Sequence, residues 1–583
     1  MKRLLTSLML LCSLFTYANT YYVNSAAKGT KDGLTWANAF TNLRWAMDVA
    51  RSGDIIKVAS GTYLTTSSTY SDSTFRLPRG VTILGGYPNS GDPSDAQRNW
   101  TGQPTIINDT YGGDFVITAS LIDTATVLDG FTIKSTYTGL NVINCSHLTF
   151  SHLLIQDIGY NIIKLFKSQV VFSACVMDHN NSTVVSQDSS STEFDNCILT
   201  RNQNGGYLIS STASSIRLIN CTVANNAAMP FSGSGAGSVM VRNSIFWDNR
   251  TSYFPGNNGE DFQGTQPVDV ASSLTQNYFR DGATTVLVNV DPRFASIPNP
   301  AGADGLYFTA DDGLQLTAPC SPGLNSGDNS AVTGISSDIL GQPRIFNGGA
   351  VDLGAYERQS DPGTPLNVVY VNSNAGNTGA DNGSSWQNAF KTLQQALLYC
   401  ADTIKVAAGT YLTDDSYTDS VFNIGGRTVL LGGYPSTGNP ADADRDPLRN
   451  QTLLKANYPN DGVYNITHGS IVTAIQCESG SLVDGFCFRN EYNKTYPSIQ
   501  KIALWISGGS NLRVNNCQFL TAGNTAGDLD QIVVEKYSHP VISNASFSNF
   551  YYVKGSSQSA VSIQNCKGGN YTSLNFDSCT GKV

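Results

Sequence analysis

Five short segments of the chain repeat one pattern of apolar and polar positions: 151–157, 174–180, 196–202, 220–226 and 243–249. Their second residues are His152, Cys175, Cys197, Cys221 and Ser244, spaced 23, 22, 24 and 23 residues apart. Two places on come Leu154, Met177, Leu199, Val223 and Phe246, which a strand's period of two puts on the same face. Three places before stand Thr149, Phe172, Phe194, Leu218 and Val241. The odd offset breaks the alternation and predicts a corner between two inward-facing columns. Five places after stand Asp157, Asn180, Asn202, Asn226 and Asn249. Asn and Asp tolerate the left-handed backbone of a tight corner, and stacked amides can bond in a ladder. A period this short, with no helical periodicity, predicts parallel coils of a β-solenoid rather than helical pairs. The cysteine column then reads as small, soft side chains stacked as free thiols in a dry core.

A much longer repeat encloses this one. Tyr22-Val23-Asn24-Ser25 returns as Tyr370-Val371-Asn372-Ser373, Trp36 and Phe40 as Trp386 and Phe390, Gly61-Thr62-Tyr63 as Gly409-Thr410-Tyr411, and Leu84-Gly85-Gly86-Tyr87 as Leu431-Gly432-Gly433-Tyr434. Two homologous units are expected, 21–358 and 369–583, joined by a Pro/Gly-bearing linker at 359–368. The second unit lacks a counterpart of the segment around Cys320 and Ser321, and of the one from Val351 to Glu357, so it is expected to be incomplete at its C-terminus. Near the start of each unit one amphipathic helix is predicted, from Leu43, Ala46, Met47 and Ala50, and from Leu393, Ala396, Leu397 and Cys400. Such a helix would cover the open end of the first coil.

Composition narrows the address. Residues 1–20 carry Lys2 and Arg3 before a short apolar run, as an export signal does, and no later run is long enough to span a bilayer. Only 14% of the 583 residues are charged and the net charge is −10, which disfavours nucleic acid as a partner. Of twelve cysteines, Cys12 lies in the signal, no CxxC pair occurs, and there are five histidines, so zinc is not expected.

With these motifs in hand, the chain resembles the secreted bacterial right-handed parallel β-helix proteins of the pectate-lyase-like superfamily. It is also similar to Bacteroidetes-type surface proteins and to repeats of chlamydial polymorphic outer-membrane proteins. The likeness rests on Tyr22-Val23-Asn24-Ser25, Trp36 to Phe40, Leu84 to Tyr87, Asp291-Pro292-Arg293-Phe294, Ser321 to Asp328 and Asp352 to Glu357. It implies an all-β fold of two tandem right-handed parallel β-helices. It does not imply an activity, because the fold carries lyases, hydrolases, esterases and adhesins.

No catalytic set assembles from the residues. Asp311-Asp312 and Asp414-Asp415 are the acidic pairs, and neither falls in a coil column. Asp157 and Asp178 lie on adjacent coils with Lys164 and Lys167 between them, but in different columns. His152 shares the buried column, and His147 and His179 have no evident carboxylate partner. Asp304, Asp311 and Asp312 lie in a glycine-bounded loop of the kind that holds calcium, without EF-hand spacing; they are the candidate ligands of a structural Ca²⁺, and no other cofactor is expected. The expected function is that of an exported, non-catalytic, monomeric surface or extracellular protein whose face binds an extracellular polysaccharide or a host or cell-surface glycan. The alternative is a polysaccharide lyase or glycoside hydrolase acting on an acidic polysaccharide. Some of the 27 tyrosines are candidate sugar platforms.

Overall fold

The computed structural model describes residues 18–582 except 66–73, 110–114, 250–260, 277–285, 289, 361–365, 375–378, 400, 414–421, 456–467, 492–499, 523–528, 536, 548–550, 556–558, 568–571 and 577–579. Nearly all of the N-terminal segment read as an export signal, Asp414-Asp415 and Cys400 therefore lie outside the described residues. The chain forms right-handed parallel β-helix. In the first unit a ten-stranded parallel sheet runs from Thr20–Val23 to Val268–Ala271. The other faces merge into one 17-stranded sheet, because Thr222–Ser234 runs round a corner and pairs on both sides of it. The second unit repeats the plan in sheets of eight, five and six strands, with its own apolar core.

Side chains of successive coils stack in register. Phe150, Phe172, Phe194, Leu218 and Val241 are direct cross-strand partners, and the three phenylalanine rings lie 5.1 Å apart centre to centre. Cys175, Cys197 and Cys221 are fully buried free thiols in single file. Their Sγ atoms reach the carbonyls of Phe150, Phe172 and Phe194 at 3.4, 3.3 and 3.2 Å. Cys320, by contrast, is disulfide-bonded, so the packing role does not extend to every cysteine.

Two assignments shift by one residue. The column neighbour of Cys175 is Leu153, not His152: the amides of Val176 and Ile198 bond the carbonyls of Leu153 and Cys175 in the same way. Likewise Phe150 and Ile155 replace Thr149 and Leu154 in the inward columns. Burying Leu153 costs nothing comparable to burying an imidazole. His152 instead takes the left-handed corner, φ 47°, where Ala174, Asn196, Asn220 and Asn243 stand in later coils.

The ladder also corrects the expectation. Asn180, Asn202, Asn226 and Asn249 are joined by side-chain amide bonds of 3.0, 3.0 and 2.7 Å. Its lowest rung is the amide of Ile158, which donates to Asn180 Oδ1 at 3.1 Å; Asp157 is not a rung. The left-handed residues are those just before the rungs: Asp157, His179, Arg201, Asn225 and Asp248.

Each unit opens on a cap. The helix Leu43–Val49, N-capped by Asn42, buries Leu43, Ala46 and Met47; the helix Leu393–Leu398 has a Thr392/Gln395 capping box and buries Leu393 and Ala396. The repeated motifs form the same latch twice. Trp36 packs between Tyr22 and Tyr87 and donates to Pro93 O, as Trp386 does with Tyr370, Tyr434 and Pro440 O. Gly86, at φ 86°, lets the backbone of Trp100 come so near that a Cβ would meet its Cα at 2.8 Å.

The closing part of the first unit is not further coil. From 290 to 358 the chain has no strand and lies along the outside of one sheet, where Phe294, Leu314, Leu316, Leu353 and Tyr356 cover Val176, Ile198, Ile245 and Trp247. The corner asparagines hold it: Asn196, Asn220 and Asn243 donate to the carbonyls of Ser337, Asp352 and Asp328 at 2.9, 3.2 and 3.0 Å. At its centre the fully buried Arg344 donates to the carbonyls of Asp352, Gly354 and Ala355. Burial pushes Glu357 beside it up to about 7.

Candidate functional site

One exposed edge of the first unit gathers aromatic and cationic side chains. Tyr137 and Tyr160 follow the strands Thr132–Lys134 and Leu154–Gln156 in successive coils. Their rings stack at 5.7 Å and 12°, yet they remain 46% and 57% exposed. The following strand, Ile163–Phe166, alternates inward Ile163 and Leu165 with outward Lys164 and Phe166. Lys167, left-handed at φ 49°, turns its ammonium over the Phe166 ring at 5.0 Å. Just before the tyrosines, Lys134 Nζ reaches Asp157 Oδ2 at 3.1 Å, and His179 Nδ1 lies 2.9 Å from Asp157 Oδ1. Asp157 is held below the usual carboxylate range: burial pushes it up, but the bonds from His179 and Lys134 outweigh that. Asp157 is engaged by Lys134 and His179, while Lys164 and Lys167 project outward beside Asp188, the exposed cross-strand partner of Phe166.

The residues weighed for a lyase are not brought together. Asp178 is buried and held by the fork of Arg201, Nε to Oδ1 at 2.8 Å and Nη2 to Oδ2 at 2.5 Å. Lys164 points outward on a different face of the coil. His179 does have a carboxylate partner, Asp157, and so does His152.

That second pair lies in a cluster not legible from the motifs. Asp129 is buried, accepts from Arg98 and from Ser151 Oγ, and lies 2.9 Å from His152 Nδ1. Burial raises its pKa, but His152, Arg98 and Ser151 together bring it down to about 2. The His152 ring packs on Trp100 at 4.3 Å, and the Arg98 guanidinium lies 5.1 Å from the centre of the same Trp100 ring. The second unit keeps the ion pair, as Arg445 and Asp484, but has Asn515 and Asn516 where the first has Ser151 and His152. Ser151 donates to the carboxylate rather than to the imidazole, so the three do not form a nucleophile relay.

Asp304, Asp311 and Asp312 share one loop, and its own amides engage them. Asp311 Oδ2 accepts from Ala303 and Asp304, Asp304 Oδ1 from Leu306, and Asp312 Oδ2 from Phe308, Thr309 and the Tyr356 hydroxyl. Asp312 is buried, which pushes it up to about 7. Among the described residues no group of three His, Cys, Asp or Glu is arranged to hold a metal ion, and no helix is long and apolar enough to cross a membrane.

Coils stacked in parallel, capped at the start and laddered at one corner define a right-handed parallel β-helix protein. Residues 118–281 match the family model described as right handed beta helix region. No curated protein matches the chain. Among solved structures it is similar to one titled crystal structure of pectate lyase Pel9A, at 14% identity over 59% of this chain and 97% of that one, with a TM-score of 0.32. A rhamnogalacturonan lyase is similar at 15% identity over 45% and 69%, with a TM-score of 0.28. The PL6 family alginate lyase AlyGC covers 92% of this chain and 98% of its own at 9% identity and a TM-score of 0.18. Likenesses this distant say nothing of activity.

Proposed function

We propose that the chain is an exported, monomeric, non-catalytic β-helix protein, of the Bacteroidetes-type surface kind, whose first unit binds an anionic extracellular or cell-surface glycan. The observation that carries this is the stacked, exposed Tyr137–Tyr160 pair leading directly into outward Lys164, Phe166 and Lys167. Exposed aromatic rings offer apolar faces to sugar C–H groups, and the lysines offer charge to carboxylates or sulfates. A rigid stack of coils holds these groups in place before the ligand arrives, which lowers the ordering cost of binding.

Affinity electrophoresis through gels containing polygalacturonate, alginate or heparin tests it. Retardation is expected for the wild-type chain in at least one gel and is expected to disappear in the Tyr137→Ala/Tyr160→Ala/Lys164→Ala variant. Equal mobility of the two proteins in every gel contradicts the reading. The catalytic alternative, a lyase or hydrolase on an acidic polysaccharide, is favoured by one observation, the Asp129–His152 pair beside Trp100. Absorbance near 235 nm after incubation with uronate polymers and Ca²⁺ separates a lyase from a binder: it stays flat for the binder.

A further inference from the structure

The closing segment of the first unit carries a cleft apart from the tyrosine edge. It has a volume of about 190 Å³, and its lining includes Leu324, Asn325, Phe346, Asn347, Asp352 and Arg358. We infer that this cleft is a binding site for a single pyranose residue.

The walls are fixed before any ligand arrives. The buried Asp352 carboxylate fastens opposite rims together, accepting the amide of Asn325 at 2.7 Å and that of Arg358 at 2.8 Å. Asn329 ties the third side, through Gly349 O at 2.8 Å and the Val351 amide at 2.9 Å. Asn325 and Asn347 both sit left-handed, at φ 50° and 49°. Gly349 keeps the space open, since a Cβ there would meet Asn325 Oδ1 at 3.2 Å.

The lining suits a sugar. The carboxamides of Asn325 and Asn347 have no protein hydrogen-bond partner among the described residues, and each offers both donors and an acceptor, as paired hydroxyls require. Arg358 spends Nη1 on Thr317 O and Nε on Ser360 Oγ, leaving Nη2 as a further donor. Phe346 supplies the apolar wall against which a ring's C–H face packs. The volume lies below the roughly 300–1,000 Å³ of clefts for drug-sized molecules, which favours a small ligand unit.

Saturation-transfer NMR on the full chain tests this with the methyl glycosides of glucose, galactose, mannose, fucose and glucuronic acid. At least one is expected to show transfer, and its affinity is expected to fall about tenfold, or roughly 1.4 kcal/mol, in both Phe346→Ala and Asn347→Gly. The second variant keeps the left-handed backbone and removes only an exposed carboxamide, so it reads binding even where the first disturbs folding. The Tyr137→Ala/Tyr160→Ala variant is expected to bind as the wild type does, which separates this site from the proposed glycan edge. No transfer from any of the five sugars overturns the inference, as does transfer unchanged in Asn347→Gly.

Discussion

The side-chain amide of Asn202 donates to Asn226 Oδ1 of the next coil at 3.0 Å, inside a column sealed from water. Asn202 also donates to Met177 O and accepts two bonds from Asn180, so its carboxamide is fully used. Asn202→Ala leaves buried donors of Asn180 unpaired and is expected to cost roughly 3 kcal/mol or more. Asp157→Ala, which removes a half-exposed partner of Lys134 and His179 next to the ladder, is expected to cost below about 1 kcal/mol. Urea denaturation of both variants checks the contrast; similar losses would contradict the assignment of Ile158 as the lowest rung.

Thiol chemistry follows from burial. Desolvation raises Cys197 and Cys221 well above the ordinary thiol pKa, and Cys197 has buried thiol neighbours on both sides. Cys175, Cys197 and Cys221 are expected to resist a thiol reagent in the native protein and to react once it is unfolded. Peptide mass mapping after labelling reads this residue by residue.

The Asp129 cluster predicts stability lost in acid. Its folded pKa of about 2 lies below the ordinary aspartate value of about 3.9. The pair therefore stabilises fully above the unfolded value and loses that contribution as pH falls through about 2. Asp129→Asn is expected to be less stable than wild type by about 2 kcal/mol at neutral pH, with the gap closing towards pH 2. Melting curves of the two proteins between pH 2 and 7 provide the test.

The closing segment predicts the opposite sign. Burial raises Glu357 and Asp312 to about 7, so their contribution is complete below the unfolded carboxylate range and declines as pH rises through 7. The charged groups facing the Glu357 carboxyl are Arg344 and Asp352, and the Glu357 amide donates to Asp338, which also faces Arg344. Limited proteolysis within 290–358 is expected to quicken between pH 6 and 8, and less so in Glu357→Gln.

Calcium at Asp304, Asp311 and Asp312 must compete with the amides these carboxylates already accept. Titration to about millimolar Ca²⁺, the range of weak extracellular sites, is expected to leave the melting temperature unchanged. A rise would place a calcium ion in this loop.

The period, the ladder and the caps were legible because identical residues recur at one spacing, and stacking like on like is what parallel coils do. The slip at His152 was not. Leu153 and Leu154 are both apolar, so alternation alone offers no parity signal at that corner, and only the demand to bury a side chain in the thiol column decides between them. The lie of 290–358 was hidden for another reason: Asn196, Asn220 and Asn243 bind main-chain carbonyls 141, 132 and 85 residues away, which leave no mark in the sequence. The pairing of His152 with Asp129 depends on the same register, since the two meet only when coils 23 residues apart are laid one on the other. Tyrosines were visible as candidates, but Tyr137 and Tyr160 stand out only once stacking and exposure are known together.

The winding itself is tested most directly by sulfur anomalous diffraction. Crystals of the protein are expected to show the sulfurs of Cys175, Cys197 and Cys221 as three peaks in a row, one coil apart at roughly 4.8 Å. Peaks scattered through the molecule, with no such row, would contradict the stacked-coil account.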